Sequence, residues 1–270
     1  MPLIYACIAP HAGDLIPETI SDQNIVKTTR QSMREMGEHL EVLKPDVLVI
    51  VNPHGFRVQN ALSISIAERA TADWSADVKL DFEMDSALAN RIADKASEMD
   101  IPIVRYIYGA SSGPDCYIPL DWGAVVPLYF LGHRSASAPP KIVHVSPMRT
   151  LPLSTHYEFG RALGSVIKDS EQRIALIASA DQGHAHDAQG PYGYDPASAQ
   201  YDAWIQDVIR SNRLDDLLSA DMKLVEHGKP DSLWPTLVLA GILKENPMQA
   251  KFLSYEVNVY FGILCAEFQR

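Results

Sequence analysis

The sequence predicts an α/β protein with a central mixed, largely parallel sheet and helices on both faces. Three observations predict this class. Short apolar runs alternate with longer amphipathic ones, several of the apolar runs stop at a proline, and the last stretch is rich in Val, Tyr and Phe. Alternating strands and helices are typical of sheets covered by helices on both sides. The length of 270 residues suits one domain, which we predict to span 1–270.

Each element follows from its pattern of apolar residues. Continuous apolar runs predict strands at 3–9, 46–52, 102–108, 124–131, 141–146 and 173–180. Amphipathic spacing predicts helices at 24–43, 84–99, 155–169, 198–211 and 233–244. Alternation of Leu62, Ile64 and Ile66 with serines predicts a half-exposed strand. The segment 250–268 predicts one or two further strands.

Composition excludes several classes of function. The chain has 23 Lys and Arg against 34 Asp and Glu, a net charge of −11, which argues against binding nucleic acid or anionic membranes. The sequence has no apolar run of 18 residues and no secretory leader, so we expect a cytoplasmic protein without a membrane span. The three cysteines form no CxxC motif, and we expect each to pack as a small hydrophobe.

Two segments share one pattern of a buried strand, a proline, a histidine and a small residue. They contain His11 and His54. Proline ends a strand, so each histidine should lie just beyond the carboxyl edge of the sheet, where open α/β sheets place their ligands. Two histidines so placed could share a metal ion, whereas either one alone could be an ordinary edge residue.

A third strand, 173–180, leads into a polar, glycine-rich loop that carries His184 and His186. Histidine suits proton transfer near neutral pH, and such a loop can line a pocket. The pair could also bind metal, or both rings could be solvated.

Glu256 is a lone acid among apolar strand residues. A buried carboxylate needs a cation or metal partner, so Glu256 is a candidate ligand. A structural salt bridge or an exposed strand position would equally explain it.

Together these motifs resemble the class III extradiol ring-cleavage dioxygenases of the LigB type, in the superfamily that also includes Memo. The resemblance covers nearly the whole chain through Pro-His at 10–11, Pro-His-Gly at 53–55, PLDWG at 119–123 followed by VPL, SADQGH at 179–184 with GPYGYDP at 190–196, and Tyr-Glu at 255–256. It implies a LigB-like three-layer catalytic domain. It also implies Fe(II), with zinc as a substitute, bound by His11, His54 and Glu256.

The resemblance further implies that His184 is the acid/base residue of a dioxygenase that opens a catechol-type or aminophenol-type ring with O₂, inserting both oxygen atoms. Asp121, Trp122, His186 and Tyr192 are the predicted substrate contacts. Trp122 stands where many relatives carry histidine, so the contact made by that histidine should come from Trp122 or His186, or be missing. A homodimer or a small accessory subunit is the expected protein partner, in aromatic-compound catabolism.

Two other functions stay open at this point. The same residues could hold zinc in a metal-dependent hydrolase. The chain could also be a Memo-like metal-binding module without catalysis. A missing third ligand, with Glu256 pointing away from His11 and His54, would favour that alternative.

Overall fold

An eight-stranded mixed sheet forms the centre of this computed structural model, which describes residues 2–132 and 139–270. The strands of the described residues are β1 (Leu3–Ala9), β2 (Val47–Val51), β3 (Leu62–Ser65), β4 (Arg69–Asp73), β5 (Lys79–Glu83), β6 (Ile103–Tyr106), β7 (Tyr117–Pro119), β8 (Lys141–Ser146), β9 (Ile174–Ser179), β10 (Gln249–Asn258) and β11 (Phe261–Gln269). The central sheet has the order β10-β11-β1-β9-β2-β8-β3-β6, and β5-β4-β7 form a small second sheet.

Helices cover both faces of the central sheet. They are α1 (Lys27–Leu43), α2 (Ser86–Glu98), α3 (Trp122–Leu131), α4 (Leu153–Lys168), α5 (Ala197–Arg210), α6 (Met222–Gly228) and α7 (Leu233–Glu245). Helices α2, α4, α5 and α7 contribute to the apolar core on one side, while α1, α3 and the small sheet contribute to the core on the other. The predicted α/β class and mixed sheet are therefore confirmed.

The parallel centre of the sheet positions the functional residues. Strands β1, β9, β2 and β8 run parallel as neighbours, so their carboxyl ends lie at one edge. These strands are buried on both faces, which explains their continuous apolar runs. Strands β10 and β11 pair as an antiparallel hairpin that extends the sheet beyond β1.

Two sequence predictions were wrong. The run 124–131 belongs to helix α3, because a helix buried on nearly every side carries no amphipathic period by which it can be told from a strand. The strand at 62–65 is fully buried rather than half exposed. Leu62 and Ile64 pack into the apolar core on one face, and Ser63 and Ser65 are buried on the other, where the Ser63 hydroxyl donates to the carbonyl oxygen of Phe56. The buried, unpaired state of Cys7, Cys116 and Cys265 confirms the expectation for the cysteines. No helix within 2–132 or 139–270 is long and apolar enough to cross a membrane.

Helix α7 is held against α4 by two glycines. A methyl group on Gly241 would overlap the carbonyl oxygen of Tyr157 and would lie 2.9 Å from the Cα of Gly160. The two backbones can approach this closely only because both residues lack a side chain. The contact matters for function because the loop at the start of α7 carries Asp231, described below.

We predict that Gly241→Ala lowers the free energy of unfolding by about 1–3 kcal/mol, the usual cost of overpacking a core. Urea denaturation of the two proteins measures the difference. Gly13→Ala is the matched control, because a methyl group there would meet only an ordinary contact at 3.9 Å. Equal stability of Gly241→Ala and the unaltered protein would contradict the close packing of α4 and α7.

Candidate metal centre

Three side chains meet at the carboxyl edge of the sheet. His11 follows β1, His54 follows β2, and Asp231 precedes α7. The two Nε2 atoms of the histidines lie 3.0 Å apart, and Asp231 Oδ2 is 3.1 Å from that of His11 and 3.2 Å from that of His54. His11 and Asp231 are buried, while the imidazole of His54 is 20% exposed. The cluster thus has one side open to a ligand.

The spacing of these three atoms fits a shared metal ion. Ligands at right angles around an ion with bonds of about 2.1 Å lie about 3.0 Å apart, against about 3.4 Å in a tetrahedral site. The observed distances of 3.0, 3.1 and 3.2 Å are nearer the first arrangement. Two imidazole nitrogens that face each other this closely also need a proton or a cation between them. Two histidines and one carboxylate on one face are the ligand set of many non-haem Fe(II) oxygenases.

Hydrogen bonding leaves the Nε2 of His11 free to bind metal. The Ser179 hydroxyl donates to the carbonyl oxygen of Gly123, so its oxygen accepts from Nδ1–H of His11 at 2.9 Å. With its proton on Nδ1, the ring presents a lone pair at Nε2.

Asp181 ties the cluster to β9, the strand between β1 and β2. Its carboxylate accepts the backbone N–H of His11 at 2.9 Å, and its own backbone N–H donates to Asp231 Oδ1 at 2.8 Å. One residue therefore fixes the two ligands that come from distant parts of the chain.

The electrostatics of the cluster favour a bound cation. Burial by itself lowers the pKa of His11, but the carboxylates of Asp181 and Asp231 outweigh burial and raise the pKa to about 9. Burial raises the pKa of Asp181 to about 6, although His11 opposes that shift. Burial would also raise the pKa of Asp231, yet His11 and His54 hold it well below its usual range. A divalent ion could replace the proton that His11 otherwise keeps.

His54 is held by Asn52 and by a close approach of α3. Asn52 Oδ1 accepts the backbone N–H of His54 at 3.0 Å. A methyl group on Gly123 would overlap Asn52 Oδ1 and would lie 3.0 Å from Cδ2 of His54. Trp122 packs against the same ring, with a centroid distance of 4.5 Å. These residues surround the ring of His54, whose Nε2 faces His11 and Asp231.

A cavity of about 440 Å³ lies beside the cluster. Its lining includes His54, Asp231, His184, Tyr192 and Arg149. His184 Nδ1 donates to the carbonyl oxygen of Gln182 at 2.7 Å, and its ring stacks on Phe261 with centroids 5.2 Å apart. The Nε2 atom of His184 is therefore available to exchange protons with a ligand in this cavity.

The structure corrects the prediction for Glu256. Glu256 lies in β10, the outer strand of the sheet, where its carboxylate accepts the backbone N–H and the hydroxyl of Thr29 at 2.7 and 2.6 Å. Thr29 is in the first turn of α1, whose free N–H groups and dipole attract a carboxylate. Glu256 thus caps a helix, and Asp231 is the carboxylate next to the two histidines.

Asp231 was not predicted from the sequence. The residue stands in Lys229-Pro230-Asp231-Ser232, directly before a predicted helix, where an acid is an ordinary helix start. Its burial, at 1% exposure, became visible only in the structure. Glu256 points away from His11 and His54, which is the geometry expected of a Memo-like module without catalysis, but the Asp231 carboxylate lies next to both histidines in its place.

The predicted substrate contacts divide into two groups. Tyr192 lines the cavity, and its role as a substrate contact stays a prediction. His186 does not line it in the described residues, because its Nε2 lies 2.8 Å from Asp202 Oδ2 and the side chain is largely buried. Trp122 supports His54 from outside the cavity, and Asp121 lines a different cavity, described below.

Comparison with known proteins identifies the class to which this fold and site belong. Residues 5–263 match the family described as the catalytic LigB subunit of aromatic ring-opening dioxygenase. The chain therefore belongs to the LigB family, as the sequence motifs predicted.

Three individual proteins are similar to the chain. Protein CA_C1420 of Clostridium acetobutylicum is 23% identical over 96% of this chain, which spans only 56% of that protein. The 4,5-DOPA dioxygenase extradiol of Mirabilis jalapa is 25% identical over 86% of both chains. The crystal structure of the uncharacterized protein JW3007 from Escherichia coli K12 shares the fold, with a TM-score of 0.63, 15% identity and coverage of 98% of this chain and 99% of that one.

We predict that Asp231→Asn weakens binding of Fe(II) or Zn²⁺ by more than about 100-fold. Losing a residue that only supports a metal ligand costs up to about 100-fold, and Asp231 is itself a candidate ligand. The matched control is Glu256→Gln, another carboxylate-to-amide change, which should keep the metal because that carboxylate binds Thr29. Competition with a chromophoric chelator measures both affinities. Loss of metal from Glu256→Gln with retention in Asp231→Asn would contradict the assignment.

Proposed function

We propose that the protein is an Fe(II)-dependent extradiol dioxygenase that opens the ring of a catechol-type or aminophenol-type aromatic. The observation that carries the proposal is the meeting of two imidazole nitrogens and one carboxylate oxygen within 3.0–3.2 Å of each other, beside a cavity of about 440 Å³. Family membership and the similarity to a DOPA extradiol dioxygenase support it. An iron ion held on one face by His11, His54 and Asp231 would supply the redox chemistry that allows a diol to react with O₂.

The proposed reaction balances without another reductant. For a catechol, the O–O bond breaks, and so does the ring C–C bond between one hydroxyl-bearing carbon and its neighbour outside the diol. Two C–O bonds form, and the diol supplies all four electrons. The product is an unsaturated semialdehyde acid that contains both oxygen atoms.

His184 would hold and return the proton of this reaction. Its Nδ1–H is committed to Gln182, so Nε2 accepts a proton from the bound hydroxyl group and donates it back later. Phe261 and Tyr192 hold the imidazole by ring contacts at centroid distances of 5.2 and 6.1 Å, which keep it directed into the cavity.

Two cations in the cavity wall favour a substrate with an acidic group. Arg149 and Lys229 line the cavity, and neither has an ion-pair partner among the described residues. The Arg149 guanidinium lies 4.9 Å from the ring centre of Trp234, which holds it in place. Within a chain of net charge −11, these residues would bind a carboxylate on the ring or on its side chain.

His184→Gln is expected to lower turnover by about 10²–10⁴-fold while the metal content stays the same, because a general acid/base contributes about that much. Oxygen uptake by the Fe(II)-loaded protein with a panel of catechols and aminophenols measures the rate. His227→Gln, on an exposed ring bonded to Asp195, is the matched control and should keep full activity. Absence of oxygen uptake by the unaltered loaded protein with every member of the panel would contradict the dioxygenase proposal.

Arg149→Met should raise KM for a carboxylated catechol by about 10- to 100-fold, the range for losing a hydrogen bond to a charged group. KM for unsubstituted catechol should stay unchanged. Arg210→Met is the control, because Arg210 also lies over an aromatic ring, Phe252, but outside the cavity. Equal effects of Arg149→Met on both substrates would argue against a carboxylate contact.

The cytoplasmic location and the homodimer or accessory subunit remain predictions.

A further inference from the structure

A second cavity of about 310 Å³ lies on the other side of the loop that carries His54. The residues after His54, the end of β6 and strand β7 enclose it, and it shares no lining residue with the cavity at the metal centre in the described residues. Its volume is at the lower end for ligand pockets, so it suits a small molecule.

The walls of this second cavity are aromatic. Phe56 and Tyr106 stack with ring centroids 4.6 Å apart. Tyr108 and Phe56 are both more than half exposed, at 58% and 53%. Large aromatic side chains left exposed around a concave surface are typical of a site that binds a ring or an apolar chain.

One polar group in the lining lacks a complete set of partners. Asp121 Oδ1 accepts from Asn52 Nδ2 at 2.9 Å, whereas Asp121 Oδ2 has no hydrogen-bond or ion-pair partner among residues 2–132 and 139–270. No lysine or arginine in those ranges lines the cavity. Asp121 is half-buried, so this oxygen can accept a hydrogen bond from a charged donor in the cavity.

His144, the other titratable group of the lining, does not neutralise Asp121. Its Nε2 accepts from Asn52 Nδ2 at 3.1 Å, so the ring proton is on Nδ1, which lies 3.1 Å from the hydroxyl of Tyr106. Both ring nitrogens are used, and the imidazole is neutral in this arrangement.

We propose that this cavity binds a small protonated amine with an aromatic or apolar body, as a site separate from the metal centre. The ammonium group would pair with Asp121, and the body would lie among Phe56, Tyr106 and Tyr108, whose faces attract cations as well as rings. Asn52 connects Asp121 to the backbone N–H of His54, so the bound ammonium would lie one side chain away from a metal ligand.

Calorimetric titration of the full chain with 2-phenylethylamine tests this proposal. The neutral isostere 2-phenylethanol should bind at least tenfold more weakly. Asp121→Asn should weaken binding of the amine by about 10- to 100-fold, the range for losing a hydrogen bond to a charged group. Glu226→Gln, which removes the acid of the other cavity's wall, should leave its affinity unchanged. Tyr108→Ala, at an exposed position, should also weaken binding of the amine. This variant tests the proposal if Asp121→Asn fails to fold.

Three results would overturn the proposal. They are no binding of the amine at millimolar concentration, equal binding of the alcohol, and a loss of affinity in Glu226→Gln that Asp121→Asn and Tyr108→Ala do not share. None of these bears on ring opening, because the titration needs neither iron nor O₂. Weaker binding of the amine to Asp121→Asn or Tyr108→Ala, with unchanged binding to Glu226→Gln, supports the second site.

Discussion

Three atoms that carry lone pairs lie about 3 Å apart at the carboxyl edge of the sheet. Their mutual repulsion is the constraint on which the candidate site depends. Two imidazole nitrogens and a carboxylate oxygen cannot remain that close in a buried place without a proton or a metal ion between them. The surrounding groups enforce the convergence: Ser179 sets the tautomer of His11, and Asp181 holds both His11 and Asp231 by backbone contacts. The fold therefore maintains an arrangement that only a proton or a metal ion can relieve.

The sheet supplies the rigidity that this arrangement needs. Parallel strands β1, β9 and β2 end side by side, and each delivers one part of the cluster at its carboxyl edge. The third candidate ligand, Asp231, comes from the loop that begins α7, a helix that packs closely against α4. A centre assembled from such rigid elements can hold an ion on one face and leave the opposite face to a substrate. His184 and Arg149 lie where they could act on that substrate.

Much of this was accessible from the sequence, because the informative residues follow strands that end at proline. The buried runs at 3–9 and 46–52 made the positions of His11 and His54 predictable, and the glycine-rich loop indicated His184. The carboxylate was not accessible in the same way. A lone glutamate in an apolar strand and an aspartate before a helix both have ordinary structural uses, and here Glu256 has one as the cap of α1. Helix α3 was mistaken for a strand for a related reason: burial on every side removes the period that identifies a helix.

The central claim is that one metal ion is bound by His11, His54 and Asp231. X-ray absorption spectroscopy of the Fe(II)-loaded protein, with and without Asp231→Asn, tests it most directly. We expect two imidazole nitrogens and one carboxylate oxygen, besides solvent, at about 2.0–2.2 Å from the metal, and the loss of the carboxylate contribution in the variant. An unchanged spectrum in Asp231→Asn, or a first shell with fewer than two imidazoles, would contradict the account.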